Sequence, residues 1–295
     1  MHVQVRRVLR RASEQLRVRV FAPAAIICAA AFAASGCGTG VSEKYPGEKG
    51  DRTQQAARFL PPVERSKRRS VRVPVLTYHR VKRYTALGQS ALPDLVVEPE
   101  RFEATIALLK RKGFTSLTSR QLYDALFAGK PLPPKPILIT VDDGYHEAVT
   151  HVLPALRRHG MVAGFYVITG RLGDEGYLRE EDLRSLEAAG MDVAGHTVSH
   201  GDLTTLADSE LRREVSSSRR KLGRILDHPV FFFAYPFGRY DERVVKAVRR
   251  AGYSVAFTTK SGTHLSSTRA LTLPRLHVGR EMGPEQVVAA AEGGQ

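Results

Sequence analysis

The sequence predicts an α/β protein whose parallel strands curl into a closed or nearly closed barrel. From Val71 onward, short β-branched runs alternate with helical stretches, and this alternation occurs six or more times. Residues 136–141 read Pro-Ile-Leu-Ile-Thr-Val, a continuous apolar run typical of a strand buried on both faces. Repeated strand–helix units imply a parallel sheet, and six or more units favour a barrel. The chain of 295 residues is long enough for one such core.

The first 36 residues have the pattern of an export signal. Six arginines precede Phe21, and the 14 residues of 21–34 carry no charged side chain. This apolar stretch is shorter than the ~20 residues that a membrane-spanning helix needs, which disfavours a permanent span. Ala34-Ser35-Gly36 precedes Cys37 and resembles a bacterial lipoprotein cleavage site, with Cys37 as the lipidated first residue. Ordinary secretion and an uncleaved anchor are the alternatives, because Ala34 stands where leucine is usual.

Residues 37–70 predict a flexible basic tether between the signal and the barrel. They are rich in Gly, Lys, Arg, Glu and Gln, show no apolar periodicity and include Lys67-Arg68-Arg69. Such a tether would let a catalytic domain over residues 71–295 reach away from the membrane, with the basic run on anionic lipid. A solvated charge run without a partner is the alternative.

Composition excludes several classes of protein. Apolar residues are 42% and charged residues 25%, which is typical of a globular chain and not of a disordered or multi-span membrane protein. The net charge of +15 falls to about +10 once residues 1–36 are removed, and no nucleic-acid-binding module is recognised. Cys28 lies inside the predicted signal and Cys37 at its end, so a disulfide scaffold is excluded.

The barrel elements follow in order along the chain. Val73–Tyr78 is predicted as the first strand. Apolar residues at Phe102, Ile106 and Leu109 predict a helix over Pro99–Lys112 that stops at Gly113. The later elements are helix 119–127, strand 136–141, helix 146–159, strand 162–168, helix 179–189, strand 191–195, helix 208–226, strand 229–235, helix 241–251, strand 253–258, a last strand near 271–278 and a short helix near 283–291.

Four polar clusters follow predicted strands. Each alone has an ordinary explanation as a turn, a packed histidine or a pair of surface histidines. Chemistry in such barrels lies at the carboxyl ends of the strands, so their joint occurrence predicts one site. Two histidines and one carboxylate are a recurring divalent-metal set, which leaves a second carboxylate for proton transfer. The clusters are Tyr78-His79-Arg80, Asp142-Asp143-Gly144, His196-Thr197-Val198-Ser199-His200 and Tyr235-Pro236-Phe237-Gly238.

These motifs resemble the polysaccharide deacetylases of carbohydrate esterase family 4. Thr-Val-Asp-Asp-Gly at 140–144, the His-x-x-x-His motif and the Tyr-Pro-Phe-Gly turn occur in this order within residues 73–280. Val-Leu-Thr-Tyr-His-Arg-Val at 75–81 and Phe-Ala-Tyr-Pro-Phe-Gly at 233–238 look most like the branch that deacetylates poly-β-1,6-N-acetylglucosamine. The resemblance implies a distorted (β/α)7 barrel and metal-dependent hydrolysis of acetyl groups from sugar amides.

The resemblance also implies roles for single residues. Asp142 matches the family's general base, and the backbone N–H of Phe237 matches a donor to the oxyanion. His79 matches the acid that protonates the leaving amine, and His277 competes for that role. The metal ligands are Asp143, His196 and His200, with zinc expected and cobalt, nickel or manganese as alternatives.

The sequence departs from the family pattern in two places. Ala234 stands where most members carry an arginine that tethers the base. Arg275 either replaces that arginine from the last strand or is an ordinary surface residue. The chain has no tryptophan, so the family's late tryptophan motif is missing and Tyr177 or another apolar residue is expected to line that wall.

Together these features predict an exported, membrane-anchored polysaccharide N-deacetylase. The favoured substrate is a cell-surface polymer like poly-β-1,6-N-acetylglucosamine, with peptidoglycan, chitin oligomers and esterified xylan as rivals. An O-acetyl esterase and a non-catalytic carbohydrate-binding lipoprotein are the alternative functions. The expected partners are the acetylated polysaccharide and a membrane reached through lipidated Cys37, with no nucleic acid and a monomeric chain.

Overall fold

The computed structural model describes residues 68–84 and 93–293. The predicted signal peptide and the predicted tether as far as residue 67 lie outside the described residues. Ser70, the last residue of the predicted tether, belongs to the first strand. No helix in the described parts of the chain is both long and apolar enough to span a bilayer.

Twelve strands and seven α-helices are found in the described residues. The strands are β1 (Ser70–Arg72), β2 (Val75–Tyr78), β3 (Arg80–Val81), β4 (Val96–Val97), β5 (Thr115–Ser116), β6 (Pro136–Val141), β7 (Gly164–Val167), β8 (Asp192–Gly195), β9 (Phe232–Ala234), β10 (Val255–Phe257), β11 (His264–Ser266) and β12 (Leu276–His277). The helices are α1 (Pro99–Arg111), α2 (Ser119–Tyr123), α3 (Leu153–Arg158), α4 (Glu180–Ala188), α5 (Asp208–Ile225), α6 (Glu242–Arg250) and α7 (Pro284–Glu292).

Seven of the strands form one parallel sheet in the order β10-β9-β8-β7-β6-β2-β12. Leu273, just before β12, bridges Phe257 of β10, so the two ends of the sheet approach each other. β5 pairs with the first residues of β6, whereas β7 pairs with β6 only from Thr140 onward, which distorts the curl. The predicted α/β fold with a distorted (β/α)7 barrel is confirmed.

Two predicted elements differ because of proline. The predicted helix 146–159 begins as a π-helical turn, Ala148–Val152, before α3. Pro154 lacks an N–H and its ring clashes with a tight preceding turn, so a wider turn there accommodates it. The predicted last strand 271–278 is reduced to β12, because Pro274 interrupts the ladder between the Leu273 bridge and Leu276.

Alternate strand residues face two different cores. Leu138 of β6 packs inside the barrel with Tyr166, Ala194 and Phe257, whereas its neighbours on β6 face the helices outside. Side chains alternate with a period of two along a strand. Asp142, four residues after Leu138, is therefore aimed into the carboxyl-terminal mouth of the barrel.

The opposite mouth is covered by a small antiparallel pair. β1 pairs with β11. Val73, which follows β1, and Leu265 of β11 pack in the inner core with Leu122 and Leu126. The described chain therefore enters the barrel at the amino-terminal ends of the parallel strands, away from the mouth that holds Asp142.

Candidate active site

Asp143, His196 and His200 form a compact group at the carboxyl ends of β6 and β8. The Nε2 atoms of His196 and His200 lie 3.4 and 3.5 Å from Oδ1 of Asp143, and one ligand atom from each residue lies within 4.8 Å of the others. Oδ1 of Asp143 is buried and has no hydrogen-bond partner among the described residues. A buried carboxylate oxygen facing two imidazole nitrogens fits a divalent metal ion with N and O ligands.

The backbone around these ligands holds them in place. His196 Nδ1 contacts the carbonyl oxygen of Ala234 at 2.8 Å, which fixes that nitrogen as the donor and leaves Nε2 to face Asp143. Asp143 and His200 adopt left-handed backbone angles, with φ of 74° and 65°. Bulky side chains seldom take this conformation, and its concentration at one site indicates a functional constraint.

The protonation of the two histidines suits metal binding. Burial, followed by the charge of His196, lowers the pKa of His200 to about 4, so its imidazole is neutral at pH 7. Burial also opposes charge on His196, but the contact with Asp143 and the charges of Asp142 and Asp143 outweigh burial and raise the pKa of His196. A metal ion would compete with a proton for Nε2 of His196.

Asp142, the neighbouring carboxylate, has a different partner. Arg275 Nη1 and Nη2 donate to its two carboxylate oxygens at 2.9 and 2.7 Å, and both side chains are only 2% exposed. The Arg275 Nε donates to the carbonyl of Thr258 at 3.0 Å, and Nη1 also reaches Thr140 Oγ1 at 3.2 Å. Arg275 is therefore not a surface arginine. Its guanidinium binds Asp142, the carboxylate that an arginine at the position of Ala234 would otherwise tether.

Arg275 keeps Asp142 ionised. Burial raises the pKa of Asp142, but the charges of Arg275 and His196 and the hydrogen bonds from Arg275 together outweigh burial and hold the pKa at about 2. The pKa of an aspartate in an unfolded chain is about 3.9. Because the pKa of Asp142 is lower than this in the folded chain, the ionised carboxylate stabilises the fold. That stabilisation is complete above about pH 4 and is lost as the pH falls towards about 2.

His79 and His277 lie at the same mouth, with ring centroids 5.7 Å apart. His79 follows β2 and is close enough to Asp142 and Asp143 for both charges to act on it, although burial is the main influence and lowers its pKa. Its Nδ1 is buried and lacks a partner in the described residues. His277 is more exposed, and its Nε2 lies 3.1 Å from Oδ2 of Asp94.

Phe237 brings the Tyr-Pro-Phe-Gly turn against the metal-ligand group. Its ring centroid is 4.7 Å from that of His200, its backbone φ is +56°, and 56% of the residue is exposed. Gly238 follows with φ +67°, and a Cβ there would lie 2.5 Å from the backbone nitrogen of Thr259. The turn therefore requires glycine and places the Phe237 backbone beside the site.

All residues predicted for the site thus lie at one barrel mouth. In a comparison with known protein families, residues 129–256 match the model of the polysaccharide deacetylase family. This segment is therefore a polysaccharide deacetylase domain. The matched segment contains the base candidate and all three metal-ligand candidates, while Arg275 and His277 lie beyond it. The predicted family and enzyme class are confirmed.

Several relatives match most of this chain. YxkH of Bacillus subtilis (strain 168), provisionally named a polysaccharide deacetylase, is 28% identical over 211 residues, covering 72% of this chain and 73% of the relative. Poly-beta-1,6-N-acetyl-D-glucosamine N-deacetylase of Staphylococcus epidermidis is 22% identical over 228 residues, covering 70% and 78%. The solved structure of Streptococcus pyogenes deacetylase PplD in complex with acetate has a TM-score of 0.70 and 26% identity, covering 75% and 98%.

Two acidic residues that support the site were not among the predicted site residues. Glu214 of α5 accepts hydrogen bonds from the backbone N–H groups of Val198 and Ser199, both at 2.9 Å, and so holds the loop between the two histidines. Asp94 pairs with His277 across 183 residues. Neither acid belongs to a recognisable motif, and only the fold brings each to its partner.

Replacing Arg275 with alanine is expected to destabilise the fold by about 3–5 kcal/mol, because the buried charge of Asp142 loses its partner. The measurement is chemical denaturation at pH 7. The double variant Asp142→Leu/Arg275→Met is the control and should recover much of this loss, since it leaves no buried charge unpaired. A single variant as stable as the wild type would contradict the buried pair.

Proposed function

We propose that this chain is a metal-dependent enzyme that removes N-acetyl groups from N-acetylglucosamine units of a cell-surface polysaccharide. The observation that carries the proposal is the separation of two adjacent carboxylates. Arg275 holds Asp142 ionised, while Asp143 faces two imidazoles. One carboxylate is thereby available as a base and the other as a metal ligand.

The substrate named for the staphylococcal relative supports a polymer like poly-β-1,6-N-acetylglucosamine as the preferred substrate. Peptidoglycan and chitin oligomers are the nearest rivals. Acetate release from a panel of these polymers by the metal-loaded protein tests the choice. We expect the highest kcat/KM on the β-1,6-linked polymer, and a preference for peptidoglycan or chitin oligomers would reject that substrate while leaving the chemistry intact.

Asp143, His196 and His200 would hold the metal, expected to be zinc, with cobalt, nickel or manganese as alternatives. When bound, the metal would polarise the acetamide carbonyl and help to activate water. Asp142 accepts a proton from the attacking water, and the Arg275 bridge orients its carboxylate. The backbone N–H of Phe237 donates to the oxyanion that develops on the acetyl carbonyl.

We assign His79 the role of general acid, which gives a proton to the leaving amine. Its support is its position near Asp142 and Asp143, whose charges both act on the ring. His277 is the competing candidate, because Asp94 orients its imidazole at the same mouth. An amine leaving group needs this proton far more than a phenolate does.

His79→Gln is therefore expected to lower kcat on an N-acetylated sugar by about 10²–10⁴-fold but to leave aryl acetate hydrolysis nearly unchanged. The matched control is His277→Gln, and both variants are assayed on both substrates. If His277→Gln shows the selective loss and His79→Gln does not, the two assignments are exchanged.

An O-acetyl esterase and a non-catalytic carbohydrate-binding protein are the alternative functions. Acetate release from amide-linked and ester-linked polymers of the same backbone separates them. An esterase would act on the ester alone, and a binding protein would act on neither.

The proposed location is the outer side of the cell membrane. The supporting observations are the arginine-rich and apolar segments of residues 1–36 and the small residues before Cys37. Fatty-acid labelling that Cys37→Ser abolishes would support lipidation, and a labelled Cys37→Ser chain would reject it. We propose that the mature chain consists of a tether over 37–70 and the barrel over 71–295, acting as a monomer.

A further inference from the structure

Basic side chains are concentrated at the end of the barrel opposite the active site. Four helices carry them in their last turns, and each of these helices leads into a parallel strand. The last turns therefore lie at the amino-terminal ends of the strands, whereas the catalytic groups follow the carboxyl ends. These last-turn residues are Lys110 and Arg111 of α1, Arg157 and Arg158 of α3, Arg224 of α5, and Arg249 and Arg250 of α6.

The helices begin with the opposite charge. Acidic residues occupy the first turns of α1, α4, α5, α6 and α7, at the end that carries the active site. The helix dipole favours both arrangements and accounts for part of the pattern. Because several helices share it, the barrel becomes electrically polarised along its axis.

Of the seven basic last-turn residues, only Arg158 has an acidic partner among the described residues. Arg111, Arg157, Arg224 and Arg250 are exposed, and none has an acidic partner among the described residues. Acidic residues nearby are mostly engaged with other cations or with histidine, although Asp227 is exposed. The engaged pairs are Asp124 with Lys130, Glu103 with Arg158, Glu187 with His228 and Glu292 with Lys135.

The chain enters the barrel at this same end. Arg68 and Arg69 precede β1, and Arg72 is the last residue of that strand. Arg72 donates to the carbonyl of Ala291 near the end of α7. Arg68 and Lys130 line a shallow groove on this side. We name Arg68, Arg111, Arg157, Arg224 and Arg250 the basal surface. A lipidated Cys37 would be linked to the basal surface by residues 38–67.

We propose that the basal surface lies on an anionic lipid bilayer and turns the active site away from the membrane. Its charge complements acidic lipid headgroups, and the segment leading to Cys37 joins the barrel there. The opposite mouth, with Asp142 and Phe237, then faces the polymer outside. This proposal relies on the proposed export of the chain but not on its acetyl chemistry.

The experiment measures partitioning of the full chain onto vesicles of phosphatidylcholine with and without about 30 mol% phosphatidylglycerol. Any insertion of the N-terminal apolar segment occurs in both vesicles, so the increment caused by phosphatidylglycerol reports on charge. The basal variant is Arg111→Gln/Arg157→Gln/Arg224→Gln/Arg250→Gln. The control is Arg83→Gln/Arg179→Gln/Arg212→Gln/Arg213→Gln, which changes net charge equally with exposed residues outside the basal surface.

A basic residue close to an anionic bilayer strengthens partitioning by about fivefold. We therefore expect the basal variant to reduce the increment by more than about tenfold and the control variant to change it by less than about twofold. The reduction in the basal variant should match the effect of high salt on the wild type.

Two results would overturn the proposal: equal losses in both variants, or no phosphatidylglycerol-dependent increment in the wild type. If the basal variant lacks the wild-type melting transition, the pairs Arg111→Gln/Arg157→Gln and Arg224→Gln/Arg250→Gln are measured instead. No acetylated substrate is present, so failure here is distinct from failure of the proposed deacetylase activity.

Discussion

Asp142→Asn is expected to lower kcat/KM for acetate release by about 10²–10⁴-fold while metal binding is retained. The amide keeps the shape of the side chain but cannot accept a proton from water. Arg275 would remain in place, because Oδ1 of asparagine still accepts one of its two hydrogen bonds. The measurement is acetate release together with metal content after dialysis.

Asp192→Asn provides the matched control for this prediction. Asp192 is another carboxylate of the barrel sheet, but it lies at the first residue of β8, at the far end of that strand from His196. It accepts a hydrogen bond from the backbone N–H of Ser119, which asparagine can also accept. Activity should stay close to that of the wild type in this control. An Asp142→Asn variant with more than about one tenth of wild-type activity would reject Asp142 as the base.

Asp143→Asn is expected to have the complementary effect, loss of the metal together with activity. The change removes the negative charge that faces both His196 and His200, and an amide oxygen is a weaker ligand for a divalent cation. We expect metal affinity to fall by about 100-fold or more and activity to fall with it. Titration of the metal-free protein with zinc, followed by emission spectrometry and an acetate assay, measures both.

The two aspartate variants serve as controls for each other. Excess metal should restore part of the activity of Asp143→Asn but none of that of Asp142→Asn, because only the first loss arises from binding. A wild-type metal affinity in Asp143→Asn would show that the Asp143, His196 and His200 group is not the metal site. Metal loss in both variants would contradict the assignment of Asp142 as the base and Asp143 as the metal ligand.

Much of the fold could be predicted from local patterns. The strand Pro136–Val141 has the same bounds in the sequence prediction and in the structure, because a short apolar run bounded by turn residues favours a buried strand. Helix α1 ends one residue before the predicted bound, where Gly113 with φ +82° stops it. The prolines at 154 and 274 caused the main differences, since their effect depends on the neighbouring turn or strand and not on apolar spacing.

The residues of the site could be predicted from the sequence, but the contacts between them could not. Asp143, His196 and His200 could be named together because each follows a strand, and parallel strands end at a common mouth. The contact of Arg275 with Asp142 spans 133 residues, and no local pattern indicates it. The order of the strands and the register of β12 on β2 and of β2 on β6 bring Arg275 to Asp142.

The sequence by itself determined the barrel, the residues that can bind metal and the signal-like segment before them. Periodicity and turn chemistry act over a few residues, so they can be read directly from the chain. Only the tertiary structure decided that Arg275 pairs with Asp142, that Glu214 supports the histidine loop, and that basic helix ends collect opposite the active site. These contacts depend on which distant segments of the chain become neighbours. The order and direction of the strands in the sheet determine those neighbours.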